Sequence, residues 1–344
     1  DVGVRVGFWR GCSLNHDLHS LRTSSLAKVL HYFSGTIAPW RRCHTAVSDM
    51  TQNIFKHWAL LGYLVLVWGF AFALIAVALE SFHPLFIVWC RLWMGALVVY
   101  CVWRWRQQRW SLGREWWPRL TLLSLTGNII PFSLIAWAEQ SVPSAEVGIL
   151  MALMPIATLL LAHWLLDHEP LTWRRFAGVV VGFAGVGLLV GDDLLSAGAS
   201  GQWPGQVAAL LATISYAFNG VYAKRLPAQE PVALSVGTLV IGSILLAMPA
   251  LWAQAAGPGF DATAGATSVL IVLGVMATGV ATWCYFVVVT ERGPGFLSTI
   301  NYLIPAVAFT AGTFFLAEPW GWEHLVALTM ILLGVGLIQV RQAR

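Results

Sequence analysis

The runs His168-Glu169-Pro170-Leu171-Thr172-Trp173 and Ala317-Glu318-Pro319-Trp320-Gly321-Trp322 are two copies of one corner. Each closes an apolar segment and opens the next. Met154-Pro155 and Ile304-Pro305 stand upstream of the two corners, and Gly185-Val186-Gly187-Leu188 and Gly334-Val335-Gly336-Leu337 stand downstream. Further back, Thr126-Gly127 is echoed by Thr278-Gly279, and Glu139 by Glu291. The offset stays at about 150 residues with slips of one or two, so the chain is built twice.

Working outward from the corners, ten apolar segments follow one another: 58–79, 84–103, 118–138, 145–166, 171–190, 204–223, 231–253, 267–289, 294–316 and 322–340. Each is about the 20 residues that a helix needs to cross a bilayer core. The expected fold is an all-α membrane protein of ten transmembrane helices. Five crossings per half is an odd number, which forces the second half to enter from the opposite side. Inverted repeats of this kind are a common plan of secondary transporters, with the substrate site at the repeat interface. The expected divisions are a first repeat at 58–190, an acidic, Gly/Ser-rich extracytoplasmic linker at 191–203, and a second repeat with a short tail at 204–344.

Charge orients the segments. Past residue 57, every lysine and arginine but one falls in alternate gaps: Arg104 to Arg119, Arg174 and Arg175, Lys224 and Arg225, Arg292, then Arg341 and Arg344. The intervening gaps hold Glu80, Glu139, Glu146, Asp192, Asp193, Asp261, Glu318 and Glu323. Cytoplasmic loops carry the excess of basic residues. Both termini are therefore expected in the cytoplasm, and the chain in the inner membrane of a bacterium.

Composition excludes several classes. Hydrophobic residues make up 58% of the chain and charged residues 10%, and mean hydropathy is +0.71; a soluble domain carries roughly 25% charged residues. The basic residues sit in short loops beside the membrane, where they act as orientation signals and contacts to anionic lipid rather than as a nucleic-acid surface. Five cysteines form no metal-ligand or disulfide pattern, and no cofactor motif is present. Neither His-Glu-x-x-His nor Gly-x-Ser-x-Gly occurs, so no enzyme is expected. Trp58, Trp103, Trp105, Trp116, Trp117, Trp173, Trp203, Trp252, Trp320 and Trp322 lie near segment ends, as an interfacial aromatic belt requires.

Residues 1–57 are polar, lack a sustained apolar run and read as a disordered extension. Met50, just before the first segment, is a candidate natural start; a genuine cytoplasmic tail is the other reading.

Trp68-Gly69, Arg91, the run from Pro155 to Glu169, Tyr216-Ala217, Lys224-Arg225, Pro305 and Glu318 resemble the EamA branch of the drug/metabolite transporter superfamily. The resemblance covers about 58–340. It implies ten helices, cytoplasmic termini and a central cavity lined mainly by helices 1, 3, 4, 6, 8 and 9. It also implies transport of small metabolites, often amino-acid export, without naming a solute. Multidrug or cation efflux is the alternative within the class, and a non-transport intramembrane enzyme or structural membrane protein the alternative outside it.

Candidate residues carry two readings each. Arg91 is the only lysine or arginine away from the ends of an expected helix; it captures a solute carboxylate or gates as an ion pair, or it pairs permanently with Glu80, Glu139 or Glu146. Glu169 and Glu318 pin the corners into the fifth and tenth helices, as carboxylates beside helix N-termini do, or serve coupling. Pro155 and Pro305 interrupt equivalent helices at a hinge or site, or merely fit the packing. Asn128, Asn219 and Asn301 are expected as buried amides. With Trp68, Trp137, Tyr216, Trp283, Tyr285 and Tyr302 they form an aromatic cavity with polar anchors, or they serve interhelical hydrogen bonding and packing. Gly178-x-x-x-Gly182 permits close helix approach but does not choose between monomer and homodimer. The first helix contains no carboxylate between Trp58 and Leu79, and no deeply buried carboxylate is evident, which disfavours proton coupling through one.

Overall fold

A computed structural model describes residues 55–107, 110–166, 171–195, 201–227 and 229–339, and statements below concern these. The extension, with Met50, and the corner carboxylate Glu169 lie outside them. The chain divides at Lys56, and apart from the first two residues of the opening helix everything described belongs to the unit from His57 onward.

The described residues are helical, with no strand. In chain order the helical stretches are α1 Phe55–Leu79, α2 Pro84–Trp105, α3 Arg114–Ala138, α4 Ser144–Leu165, α5 Trp173–Leu195, α6 Trp203–Arg225, α7 Pro231–Ala256, α8 Ala264–Arg292, α9 Gly295–Phe315 and α10 Trp322–Gln339. Among the described residues, nine are long and apolar enough to cross a membrane. The remaining one, α6, has the length, at 23 residues, but carries Gln206, Thr213, Ser215, Tyr216 and Asn219 along it. Those polar groups are used inside the protein, as shown below.

Starts are set by capping chemistry. His83 precedes Pro84, and its Nδ1 accepts the Leu85 N–H. Glu230 precedes Pro231 and accepts the N–H groups of Val232 and Ala233. Thr263 accepts the Ala266 N–H at the start of α8. Each satisfies backbone donors that a helix start leaves over.

The halves are interleaved. α5 packs along α10, α2 lies against α7 and α8, α6 against α3 and α4, and α9 against the start of α4. One apolar core, including Phe72, Ile87, Leu92, Ile149, Ile156, Leu246, Leu273 and Ile331, runs through both halves. The α5–α10 contact is made backbone to backbone: a Cβ on Gly334 would sit 2.5 Å from the Gly178 carbonyl oxygen. The small-residue spacing of α5 therefore serves packing within the chain.

Most of the expected belt tryptophans are exposed, from Trp203 at 44% to Trp105 at 81%. Trp116 departs from this. It is buried beneath Arg119, whose guanidinium carbon lies 5.0 Å from the ring centroid.

Candidate functional site: paired interruptions at the centre of the bundle

Two helices change their winding in mid-course. α3 passes through a π segment at Leu125–Ile129, and α8 through one at Leu273–Val280. The Ile130 N–H donates to Leu125, and the Ala281 N–H to Met276, five residues back in each case. Thr126-Gly127 lies in the first segment and Thr278-Gly279 in the second, so the echoed dipeptides mark the same irregularity twice. In α3 a local cause is visible: Pro131 has no N–H to offer the Gly127 carbonyl. Such wide turns loosen the backbone ladder and leave carbonyls in need of donors.

The donors come from the other half. In α3, the Leu123 carbonyl accepts from Asn219 Nδ2 at 2.9 Å and the Thr126 carbonyl from Ser215 Oγ at 2.8 Å. Asn219 also donates to Thr126 Oγ1 at 3.0 Å. In α8, the Ala277 carbonyl accepts from Trp68 Nε1 at 2.9 Å and the Met276 carbonyl from Tyr63 at 3.0 Å. So α6 seals α3 and α1 seals α8. No room is left for a side chain at Gly127, because an added Cβ would lie 2.7 Å from the Asn219 amide nitrogen.

Arg91 stands between these segments. It is 5% exposed. Its one hydrogen bond runs from Nε to Thr278 Oγ1 at 3.3 Å, and its guanidinium carbon lies 4.1 Å from the centroid of Phe132. Among the described residues no carboxylate lies within ion-pair distance, so the permanent pair with Glu80, Glu139 or Glu146 is not made.

The other sequence candidates distribute unevenly. Tyr216 packs edge-on against Phe132 at 6.3 Å, and Trp68 lies 6.0 Å from Tyr285. Asn128, Asn219 and Asn301 are half-buried rather than fully buried; only Asn219 makes side-chain hydrogen bonds. Tyr302, also half-buried, packs against the main core. Trp283 lines a cleft with Arg106, Glu230 and Glu291 between the ends of α2, α7 and α8. Trp137 is 47% exposed and stands apart from these contacts. Pro155 begins the second part of α4, after a break at Ala152 and Leu153. Pro305 lies within α9, which is itself interrupted before Ile300.

The carboxylates depart from the corner reading. Glu318 does not pin the helix that follows it; its two oxygens accept the N–H groups of Ser144 and Ala145, at 2.9 Å each, and so cap α4. The two chain segments meet because α9 packs against the start of α4. Beside them Glu146, 4% exposed, accepts from Gln206 Nε2 at 2.7 Å and lies 4.0 Å from His324 Nε2. Both oxygens of Glu139 are buried and accept no hydrogen bond. The expectation that no carboxylate is deeply buried fails at Glu139 and Glu146. Both stand in a charge-bearing gap, yet neighbouring helices cover them. The internal repeat had paired Glu139 with Glu291, and the partners differ: Glu291 Oε2 lies 2.7 Å from His57 Nε2.

The sequence pattern of the EamA-like transporter family matches residues 56–191 and again 203–340. The chain belongs to that family. The uncharacterized transporter YvbV of Bacillus subtilis is 24% identical over 285 residues, 82% of this chain and 91% of that one. The uncharacterized inner membrane transporter YedA of Escherichia coli K12 is 25% identical, covering 80% of this chain and 88% of YedA. A protein of Streptantibioticus cattleyicolor named as a probable terminal-alkyne amino-acid exporter is 26% identical, over 83% of this chain and 93% of its own. One solved structure superposes with a TM-score of 0.56 at 19% identity, covering 83% of this chain and 97% of that one, which is a likeness of fold. This EamA protein is thus a multi-pass membrane transporter, with bacterial inner-membrane relatives.

Proposed function

We propose that this EamA transporter carries small metabolites across the cytoplasmic membrane by alternating access, and that it exports amino acids or related solutes. One observation carries the reading: two repeat-equivalent helices each hold a wide turn whose carbonyls are sealed by a helix from the other half. Such turns can change partners when the halves rock, and interrupted helices at a repeat interface are where transporters place their substrate. The named amino-acid exporter among the relatives supports the solute class. In this reading α6 is the tenth crossing despite its polarity. The two five-helix repeats, 58–190 and 204–344, are joined by the outer linker 191–203. Both termini lie inside, and the basic loops touch anionic lipid. Arg91, Trp68, Tyr216 and Asn219 border the path, and Pro155 and Pro305 lie at the hinge.

Cation efflux is the second reading, and the buried Glu139 is what favours it. Arg91 opposes it, since the charge of an unpaired guanidinium repels a cation. Purified protein in liposomes, loaded in turn with neutral, acidic and aromatic L-amino acids and with tetraphenylphosphonium, separates the two. Counterflow of an amino acid is expected. Movement of the organic cation alone would select the second reading, and movement of neither would end the transport proposal.

A further inference from the structure

The internal repeat puts two polar positions at opposite ends of the bundle in correspondence. His57, at the start of α1, stands about 150 residues before Gln206, at the start of α6. Glu139, just past the end of α3, stands about 150 residues before Glu291, at the end of α8. α1 and α6 are the helices that donate to the wide turns of α8 and α3. Each donor helix therefore begins beside the carboxylate that ends the helix it seals. At one end the two are joined: His57, 4% exposed, places Nε2 at 2.7 Å from Glu291 Oε2.

At the other end the backbones are in place but the side chains are not. A Cβ on Gly205 would lie 3.0 Å from the Ala138 carbonyl oxygen and 2.7 Å from Ser141 Oγ, so Gln206 and Glu139 are each one residue from that contact. Gln206, 1% exposed, gives Nε2 to Glu146 Oε1 at 2.7 Å, and its own Oε1 has no partner. Both Glu139 oxygens are buried and accept no hydrogen bond. A buried acceptor without a donor is costly, and here a suitable donor is held next door by another carboxylate. Glu146 has a replacement at hand, because His324 Nε2 stands 4.0 Å from its Oε2. Glu318 offers Glu139 nothing, being occupied by the N–H groups of Ser144 and Ala145.

Resting on the alternating-access reading above, we propose that these are the two latches of the cycle, made in turn. His57–Glu291 fastens α1 to α8 and shuts one face; Gln206–Glu139 fastens α6 to α3 and shuts the other. The structure holds the first latch made and the second unmade. To make the second, Gln206 swings its amide from Glu146 to Glu139, and His324 takes over Glu146. His57 and Glu291 part in the same step. Glu139 gains the bond it lacks and Glu146 keeps a donor, so the exchange leaves no new acceptor bare. With the basic loops inside, the first latch is the cytoplasmic one. The latches lie about a bilayer core apart, roughly 30 Å, so one can answer to the other only through the helices between them.

Thiol accessibility reads the two ends separately. Native Cys284, 2% exposed, packs with Leu61 and Leu64 near the first latch. Ser144→Cys places a thiol at a 1% exposed position near the second. Labelling by N-ethylmaleimide is followed at each thiol by mass spectrometry, on the full chain in lipid nanodiscs. In the Ser144→Cys background, Glu291→Ala should speed labelling of Cys284 and slow labelling at position 144. Each change should be roughly three- to tenfold, the population shift that one polar bond commands. His57→Leu should act in the same direction, so a folding defect in one variant does not decide the outcome. Glu139→Leu should do the reverse, because it removes the bare acceptor from the described state and the latch from the other. Rates that rise together at both thiols, or that change only beside the substituted residue, would overturn the proposal. Opposite responses in a protein that moves no amino acid in liposomes would strike the transport reading and leave the latches standing. Transport without opposite responses would do the converse.

Discussion

Glu318 accepts the backbone N–H of Ala145 at 2.9 Å, so a carboxylate from the second half caps a helix of the first. Helix capping is ordinarily local; here cap and helix are 173 residues apart in sequence. The bond therefore reports on docking of the two halves as well as on α4. Removing it in Glu318→Ala should cost about 0.5–2 kcal/mol, the usual range for a lost cap. Glu318→Gln, which keeps one acceptor oxygen, should recover part of that. Thermal unfolding in detergent measures both, and an unshifted midpoint for the alanine variant would argue against the cap.

The seal on α3 predicts a coupled pair. Asn219→Leu removes the donor to the Leu123 carbonyl and to the Thr126 hydroxyl; the hydroxyl keeps its own bond to the Leu122 carbonyl, so the cost is about 1–3 kcal/mol for the one buried group left unsatisfied. Combined with Thr126→Val the losses should be less than additive, because the two changes delete a shared contact. On α8, Trp68→Phe should reduce stability and exchange more than Tyr63→Phe does. The Trp68 bond is partly buried, whereas the Tyr63 bond is exposed, and the Trp68 change also shrinks a ring that packs beside Tyr285. Equal effects would contradict this ordering.

Two glycines in α10 should behave oppositely. At Gly334 a methyl group meets the Gly178 carbonyl and the Gly182 backbone, so Gly334→Ala should destabilise by about 1–3 kcal/mol through overpacking. At Gly336 nothing lies within 4 Å, so Gly336→Ala should be neutral or gain up to about 1 kcal/mol from helix propensity. Denaturation in parallel decides it, and a larger loss at Gly336 would refute the assignment of the contact.

His83 supplies a pH dependence. Burial lowers its pKa below the ordinary 6.5, and its Nδ1 accepts the Leu85 N–H, which only the neutral ring can do. The unfolded chain thus binds the proton more readily than the folded one. The contribution of His83 is complete above 6.5 and is lost as pH falls through the lower folded value. Stability should therefore decline as pH falls below the ordinary imidazole value. His83→Asn, which keeps a capping oxygen without a titrating ring, should flatten that decline in detergent unfolding.

Much of this was legible in the sequence for physical reasons. Apolar length, alternating Lys/Arg gaps and duplicated dipeptides are local properties, and they placed helix boundaries within a few residues of those found. Even the π segments left a trace, since Thr126-Gly127 and Thr278-Gly279 are the dipeptides at which both occur. The partners were not legible. Nothing near Glu318 points to Ser144, and nothing in α6 says that Ser215 and Asn219 reach α3 rather than lipid. Glu139 misled because a charge in a gap between apolar runs looks solvated. Only the packing of neighbouring helices shows that its oxygens are covered.

The exchange of donors between α3 and α6 and between α8 and α1 also bears on how the chain is made. A ribosome delivers α3 well before α6, so the Leu123 and Thr126 carbonyls enter the membrane before their donors have been synthesised. During that interval the wide turn must borrow water, lipid headgroups or an insertase. α8 is spared this exposure, because Tyr63 and Trp68 already wait in α1. Assembly is therefore asymmetric in time, and the first half is the one that waits for its donors.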